Sequence, residues 1–147
     1  MMEAQNTPKY QEWLNADEMH EASRNWLSEL RFIKDEQQFL ANLIKSYTLQ
    51  LIDTAHFSNS KKIVADLGVL QTKNKAFIEM VKTHENELLI LVDGINQLNK
   101  EKAFKKAHRT LIVNINTYFK TYRTLKKQLF QTIEDIMKHE KQKRLLQ

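Results

Sequence analysis

A chain of 147 residues with a net charge of +5, 41% hydrophobic and 28% charged residues is a one-domain length, able to bury a sizeable core. Two Gly and one Pro are too few for the many turns of a β-sandwich or an α/β fold, and no Cys means no disulfide, thiolate metal site or Cys nucleophile. The polar N-terminus, MMEAQNTPKYQEW, does not resemble a signal peptide, and the longest apolar run, Leu88 to Val92, falls far short of the roughly 20 residues of a membrane span. A cytoplasmic protein without a membrane span is the expectation.

Thr7-Pro8 has the form of a helix N-cap followed by Pro at the first helical position. Asn15 and Glu18 have capping-box spacing. The first long helix therefore starts near residue 16, leaving an N-terminal segment over 1–15, or runs unbroken from Pro8; Trp13 is expected on a bundle groove. Along the helix Met19, Trp26, Leu30, Ile33, Gln37, Leu40, Ile44, Tyr47 and Leu51 recur at 3-4 spacing. Leu27, Phe32, Phe39 and Leu43 widen this stripe beyond a strict coiled-coil seam, so the helix is expected to touch more than one neighbour. The segment Thr54 to Ser60, TAHFSNS, is the strongest loop signal and closes the first helix near residue 54.

The second helix is predicted over 61–99 and contains the densest apolar run, Phe77 to Leu98. Its in-phase positions are Leu67, Leu70, Asn74, Phe77, Val81, His84, Leu88, Leu91, Ile95 and Leu98. Gly68 and Gly94 fall inside it, each costing ~1 kcal/mol relative to Ala. Asp93-Gly94 also has the form of a turn, but Leu91, Ile95 and Leu98 stay in phase across it, so Gly94 is read as internal to the helix. After Leu98 the same phase meets Lys102, Lys105 and Arg109, and the apolar pattern restarts at Phe104. That break argues for a tight turn at 99–102; one continuous helix with a local skip, pairing across a dimer, stays open. The third helix, over 102–144, carries Phe104, His108, Leu111, Ile115, Tyr118, Tyr122, Leu125, Leu129, Thr132 and Ile136 in phase. Val113, Phe130 and Met137 fall where a simple three-helix bundle leaves them exposed.

The expected fold is all-α: a single domain over 1–147 forming an elongated antiparallel three-helix bundle of long coiled-coil-like helices, with a short N-terminal helical segment through Tyr10, Trp13 and Leu14 as an open option. Connections of 2–8 residues make consecutive helices antiparallel neighbours.

Chemistry-bearing patterns are sparse. Asp17-x-x-His20 and Asp53-x-x-His56 have the spacing of a di-metal bundle motif with a shorter carboxylate, and Asp135/His139 are an i, i+4 pair. Capping and solvated charge explain all three, and the sequence has no His-Glu-x-x-His, Gly-rich phosphate loop or Gly-x-Ser-x-Gly. An enzyme is not expected, and no cofactor or metal is predicted. His84 is the most informative polar residue. With turn centres near 57 and 101 it is expected level with Arg31/Phe32 and Tyr118, hydrogen-bonded to a tyrosine hydroxyl. Gln37 and Asn74 are the other in-phase polar residues. The candidate polar core cluster is His84, Tyr118 and Tyr122, read as a register device or, alternatively, as a small-ligand or metal site.

Charge is uneven: residues 1–58 carry 5 basic and 9 acidic side chains, and residues 100–147 carry 13 and 4. Arg109, Lys120, Arg123 and Lys127 line one face of the third helix as a candidate anion-binding face. The leading expectation is a non-enzymatic protein–protein interaction or scaffolding module, a homodimer motivated by Phe32, Phe39, Val113, Phe130 and Met137. The alternative is a binder of an anionic partner, nucleic acid or acidic protein, through the basic third helix.

Overall fold

The computed structural model describes residues 15–52, 57–93 and 98–146. They form four helices: α1 (Ala16–Ser46), α2 (Thr48–Leu51), α3 (Phe57–Asp93) and α4 (Leu98–Leu146). The fold is an all-α helical bundle, with no strand among the described residues. None of these helices is long and apolar enough to cross a membrane. Thr7-Pro8, Trp13, Gly94 and Ile95 lie outside the described residues.

Asn15 caps α1: its Oδ1 accepts the Glu18 N–H at 2.8 Å and its Nδ2 donates to the Glu18 carboxylate at 3.3 Å. One orphan backbone N–H of the first turn is thus satisfied, and the second bond joins the two side chains in place of the reciprocal backbone bond of a full capping box. The other end differs from expectation. α1 stops at Ser46, not near 54, because the backbone tightens at Tyr47, whose N–H reaches both the Leu43 and Ile44 carbonyls. The Thr48 hydroxyl then donates to the Ile44 and Lys45 carbonyls, and such back-bonding competes with the helical ladder.

The connection after α2 is shorter than the Thr54–Ser60 loop reading. Phe57 to Ser60 are already helical. Tertiary contacts outweigh their weak helix propensity: Asn59 Nδ2 donates to Thr132 Oγ1 at 3.3 Å, and Ser60 is buried. The turn read at 99–102 is also displaced, since α4 begins at Leu98 and residues 99–102 are its first turn. The phase break that suggested a turn there marks where α4 begins facing the core, at Phe104. The alternative of one continuous helix is overturned as well. His84 and His108 are 24 residues apart and their rings meet at 2.8 Å. An unbroken helix would hold them about 36 Å apart at 1.5 Å per residue.

Contacts divide the chain into two compact units. The first comprises residues 1–32 and 75–117, the second 33–74 and 118–147. In the first, Met19, Leu88 and Phe104 form a buried cluster flanked by Ala16 and Leu91. Trp26 meets His108, which meets His84, so here α1 and α4 run the same way and α3 runs opposite. In the second, Leu40, Leu67, Leu70, Leu125 and Leu129 are buried, each worth ~1.5–3 kcal/mol of transfer free energy. All ten in-phase positions of α4, Phe104 to Ile136, are buried. On α3 Phe77 and Leu91 are only half-buried, and Ile78 rather than Phe77 turns fully inward. Ser23, fully buried with its hydroxyl donating to the Met19 carbonyl, fills the position between Met19 and Trp26 that the apolar pattern omits.

Gly68 sits within α3, and a Cβ added there would meet nothing within 4 Å. Its cost is therefore backbone entropy without a packing benefit. Gly68→Ala is expected to stabilise the protein by about 0.5–1 kcal/mol, seen as a higher urea midpoint with an unchanged slope.

Candidate functional site

In each unit a layer of buried polar side chains joins the helices, and Ser23, Ser60 and Thr132 are further buried polar residues outside these layers. In the first unit the layer is built from imidazoles. His84 Nε2 and His108 Nδ1 lie 2.8 Å apart, with both residues almost wholly buried. The His84 ring stacks on Phe104 at a centroid distance of 4.1 Å, and Trp26 packs on His108 at 5.0 Å. A nitrogen–nitrogen contact this short requires one N–H and one lone pair, so the two facing nitrogens cannot both carry protons. Burial pushes His84 down to about 4, and burial together with the neighbouring His84 does the same to His108.

His84 is thus buried and hydrogen-bonded, but its partner is an imidazole rather than a tyrosine hydroxyl. The displaced turn explains the change. His84 stands nine residues before the end of α3, and His108 ten residues after the start of α4, so these two come level. A turn centred near 101 would have brought Tyr118 there instead.

Tyr118 and Tyr122 belong to the second unit, so the predicted trio does not converge on shared partners. Gln37 Nε2 donates to the Tyr118 hydroxyl at 3.1 Å, and that hydroxyl donates to the Leu70 carbonyl at 3.1 Å. Asn74 bonds the same hydroxyl. Burial raises the Tyr118 pKa, with the Asn74 and Gln37 hydrogen bonds acting in the other direction. One turn along, the Tyr122 hydroxyl donates to Glu36 Oε1 at 2.7 Å, and Lys126 Nζ donates to the same oxygen at 3.0 Å. Burial pushes Tyr122 well above the ordinary phenol range, and the Glu36 hydrogen bond and charge push it further. For Glu36 itself burial acts upward, but the Tyr122 and Lys126 hydrogen bonds and the Lys126 charge outweigh it, so the carboxyl titrates below its usual range.

The candidate anion-binding residues are distributed between the units. Arg109 is half-buried in the first, whereas Lys120, Arg123 and Lys127 are exposed in the second. Among the described residues none of these last three is paired with a carboxylate, in contrast to Lys126. His20 does not join Asp17 but meets Glu85 at 2.6 Å, and Asp135 accepts a hydrogen bond from Gln131. Asp53 and His56 lie outside the described residues. Among the described residues no group of three or more His, Cys, Asp or Glu side chains could hold a metal ion.

One open hollow of about 720 Å³ lies beside the imidazole pair, lined by Met80, Thr83, His84, Ala107 and Leu111 among others. A second of about 290 Å³, lined by Ile90, Leu91, Ala103 and Phe104, shares Glu87, Ala103 and Ala107 with the first. Together they form a continuous groove between α3 and α4. Sequence patterning did not reveal it, because Ala103 and Ala107 lie off the apolar stripe and look like ordinary surface positions.

No protein-family model matches the chain, and comparison with curated proteins and with solved structures found no match.

The imidazole pair makes stability depend on pH. Both folded-state values lie below the ordinary 6.5, so the unfolded chain binds protons first as pH falls. Their contribution is complete above about pH 6.5 and is lost progressively down to about pH 4. Urea denaturation followed across this window should show a falling midpoint for the native chain. The double variant His84→Leu/His108→Leu should show a flatter dependence, since neither ring remains to be protonated.

Proposed function

We propose that this chain is a non-enzymatic protein–protein interaction or scaffolding module, acting in a reducing compartment such as the cytoplasm, which suits a chain without cysteine. The observation that carries the reading is the number of large apolar side chains that the bundle leaves in solvent. Phe32 is 63% exposed, Phe39 57%, Ile90 66% and Val113 62%. Phe130 and Met137, expected outside a three-helix core, are also exposed. Scattered single apolar residues need no partner, but several aromatic and aliphatic groups outside the core, together with an apolar groove, are the surface character of a binding module. The buried polar layers fit the same reading: they fix how the helices pair and so keep these side chains in defined positions.

A second reading is favoured by the three unpaired cations Lys120, Arg123 and Lys127, spaced three and four apart on α4. They suit an anionic partner, with binding that weakens as salt rises. The neighbouring aromatics Tyr118 and Tyr122 are buried and unavailable for base stacking, which favours an acidic protein over single-stranded nucleic acid.

The test is site-specific photo-crosslinking in the native cell, with the probe placed at Phe32, Phe39 or Val113 in turn. Discrete adducts from these positions, absent when the probe replaces exposed Gln131, are the expected outcome. Absence of adducts from all three positions contradicts the interaction reading.

A further inference from the structure

We infer that the groove between α3 and α4 in the first unit is a self-complementary surface that receives the same groove of a second copy of this chain. This rests on the interaction reading above and assigns it a surface and an occupant. The two walls of the groove differ in size and in charge. On the α3 side stand Met80 and Ile90, 51% and 66% exposed. On the α4 side the groove is lined by exposed Ala103, Ala107 and Thr110. One wall therefore offers knobs and the other offers room for them. Glu79 and Glu87 edge the α3 side, whereas Lys100 and Lys106 edge the α4 side.

A single symmetry operation matches both differences. His84 against His108 and Leu88 with Phe104 fix which residues of the two helices are level. A two-fold axis parallel to the helices lays α3 of each copy over α4 of the other at the same level. Ile90 then falls over Ala103 of the second copy, and Met80 over its Thr110. Glu87 falls beside Lys106 of the second copy, and the reverse contact repeats on the other side of the axis, as an isologous interface requires. Neither Glu87 nor Lys106 is in an ion pair within the chain among the described residues, so both are available for this contact. A two-fold axis perpendicular to the helices instead sets α3 on α3, with knob on knob and acid on acid.

From Glu79 to Ile90 the groove runs for twelve residues, a rise of about 17 Å at 1.5 Å per residue. Two helices over that length cover less than the ~800 Å² per partner of a standard interface, so the dimer is expected to be reversible.

Sedimentation equilibrium of the full chain at low salt tests the inference, with circular dichroism as the check on folding. A monomer–dimer equilibrium is expected in the micromolar range. Ala107→Glu places a bulky charge on the α4 wall and should raise the Kd by about tenfold or more. Glu87→Lys and Lys106→Glu should each raise it several-fold, and the double reversal should return it to within about twofold of the native value. A monomer at every concentration overturns the inference. So does a dimer indifferent to Ala107→Glu, or one that the double reversal fails to restore. These results leave the wider interaction reading intact, because that reading fails only if crosslinking from Phe32, Phe39 and Val113 also fails.

Discussion

The contact between His84 and His108 fixes the relation of α3 to α4 in the first unit, and much else follows from it. Apolar side chains at 3-4 spacing can slide past one another by a turn and still find apolar neighbours. Two buried imidazoles cannot. A slip of one turn, about 5.4 Å, separates them and leaves both without a partner, at about 1–3 kcal/mol for each unsatisfied group. A satisfied hydrogen bond contributes only about 1 kcal/mol net. The pair therefore acts less by stabilising the correct register than by penalising the wrong ones. Phe104 below and Trp26 beside it complete the exclusion of water that makes the penalty large.

The second unit solves the same problem with different chemistry. Gln37, Tyr118 and the Leu70 carbonyl link α1, α4 and α3 through one hydroxyl, and Glu36 gathers Tyr122 and Lys126 one turn away. Three helices meet at a single polar point there, where in the first unit two rings meet and two more, Phe104 and Trp26, pack on them. With register set, the side chains left outside the core take up defined positions. The placement of large side chains on the α3 wall of the groove and small ones on its α4 wall depends on it: moving either helix by one turn would shift Met80 and Ile90 relative to Ala103 and Thr110.

The all-α class, the buried face of α4 and the cap at Asn15 could be read from periodicity and local chemistry, because those are properties of neighbouring residues. Gln37, Asn74 and His84 also stood out as polar residues in apolar phase, and all three are buried. Their partners could not be read with the same ease. A partner depends on where the chain reverses: α3 ends at Asp93 and α4 begins at Leu98, and the Asp93-Gly94 turn signal there was outweighed by the unbroken phase of Leu91, Ile95 and Leu98. Placing the turn a few residues late moved the level of His84 from His108 to Tyr118. His108 was visible as an in-phase histidine throughout, so the missing signal was registration and not residue identity. The ends at Ser46 and Phe57 were missed for a related reason: backbone tightening at Tyr47 and the Asn59–Thr132 contact are set by atoms that propensity does not weigh. The groove was hidden because alanine carries no pattern of its own.

If the imidazole pair sets the register, its protonation must show it directly. Long-range ¹⁵N–¹H spectra of the labelled imidazoles, recorded from pH 8 to pH 4, report the tautomer and charge of each ring. The account predicts that His84 and His108 stay neutral well below pH 6.5, while one facing nitrogen carries a proton and the other accepts it. Two rings titrating independently near pH 6.5, like imidazoles in water, would contradict it.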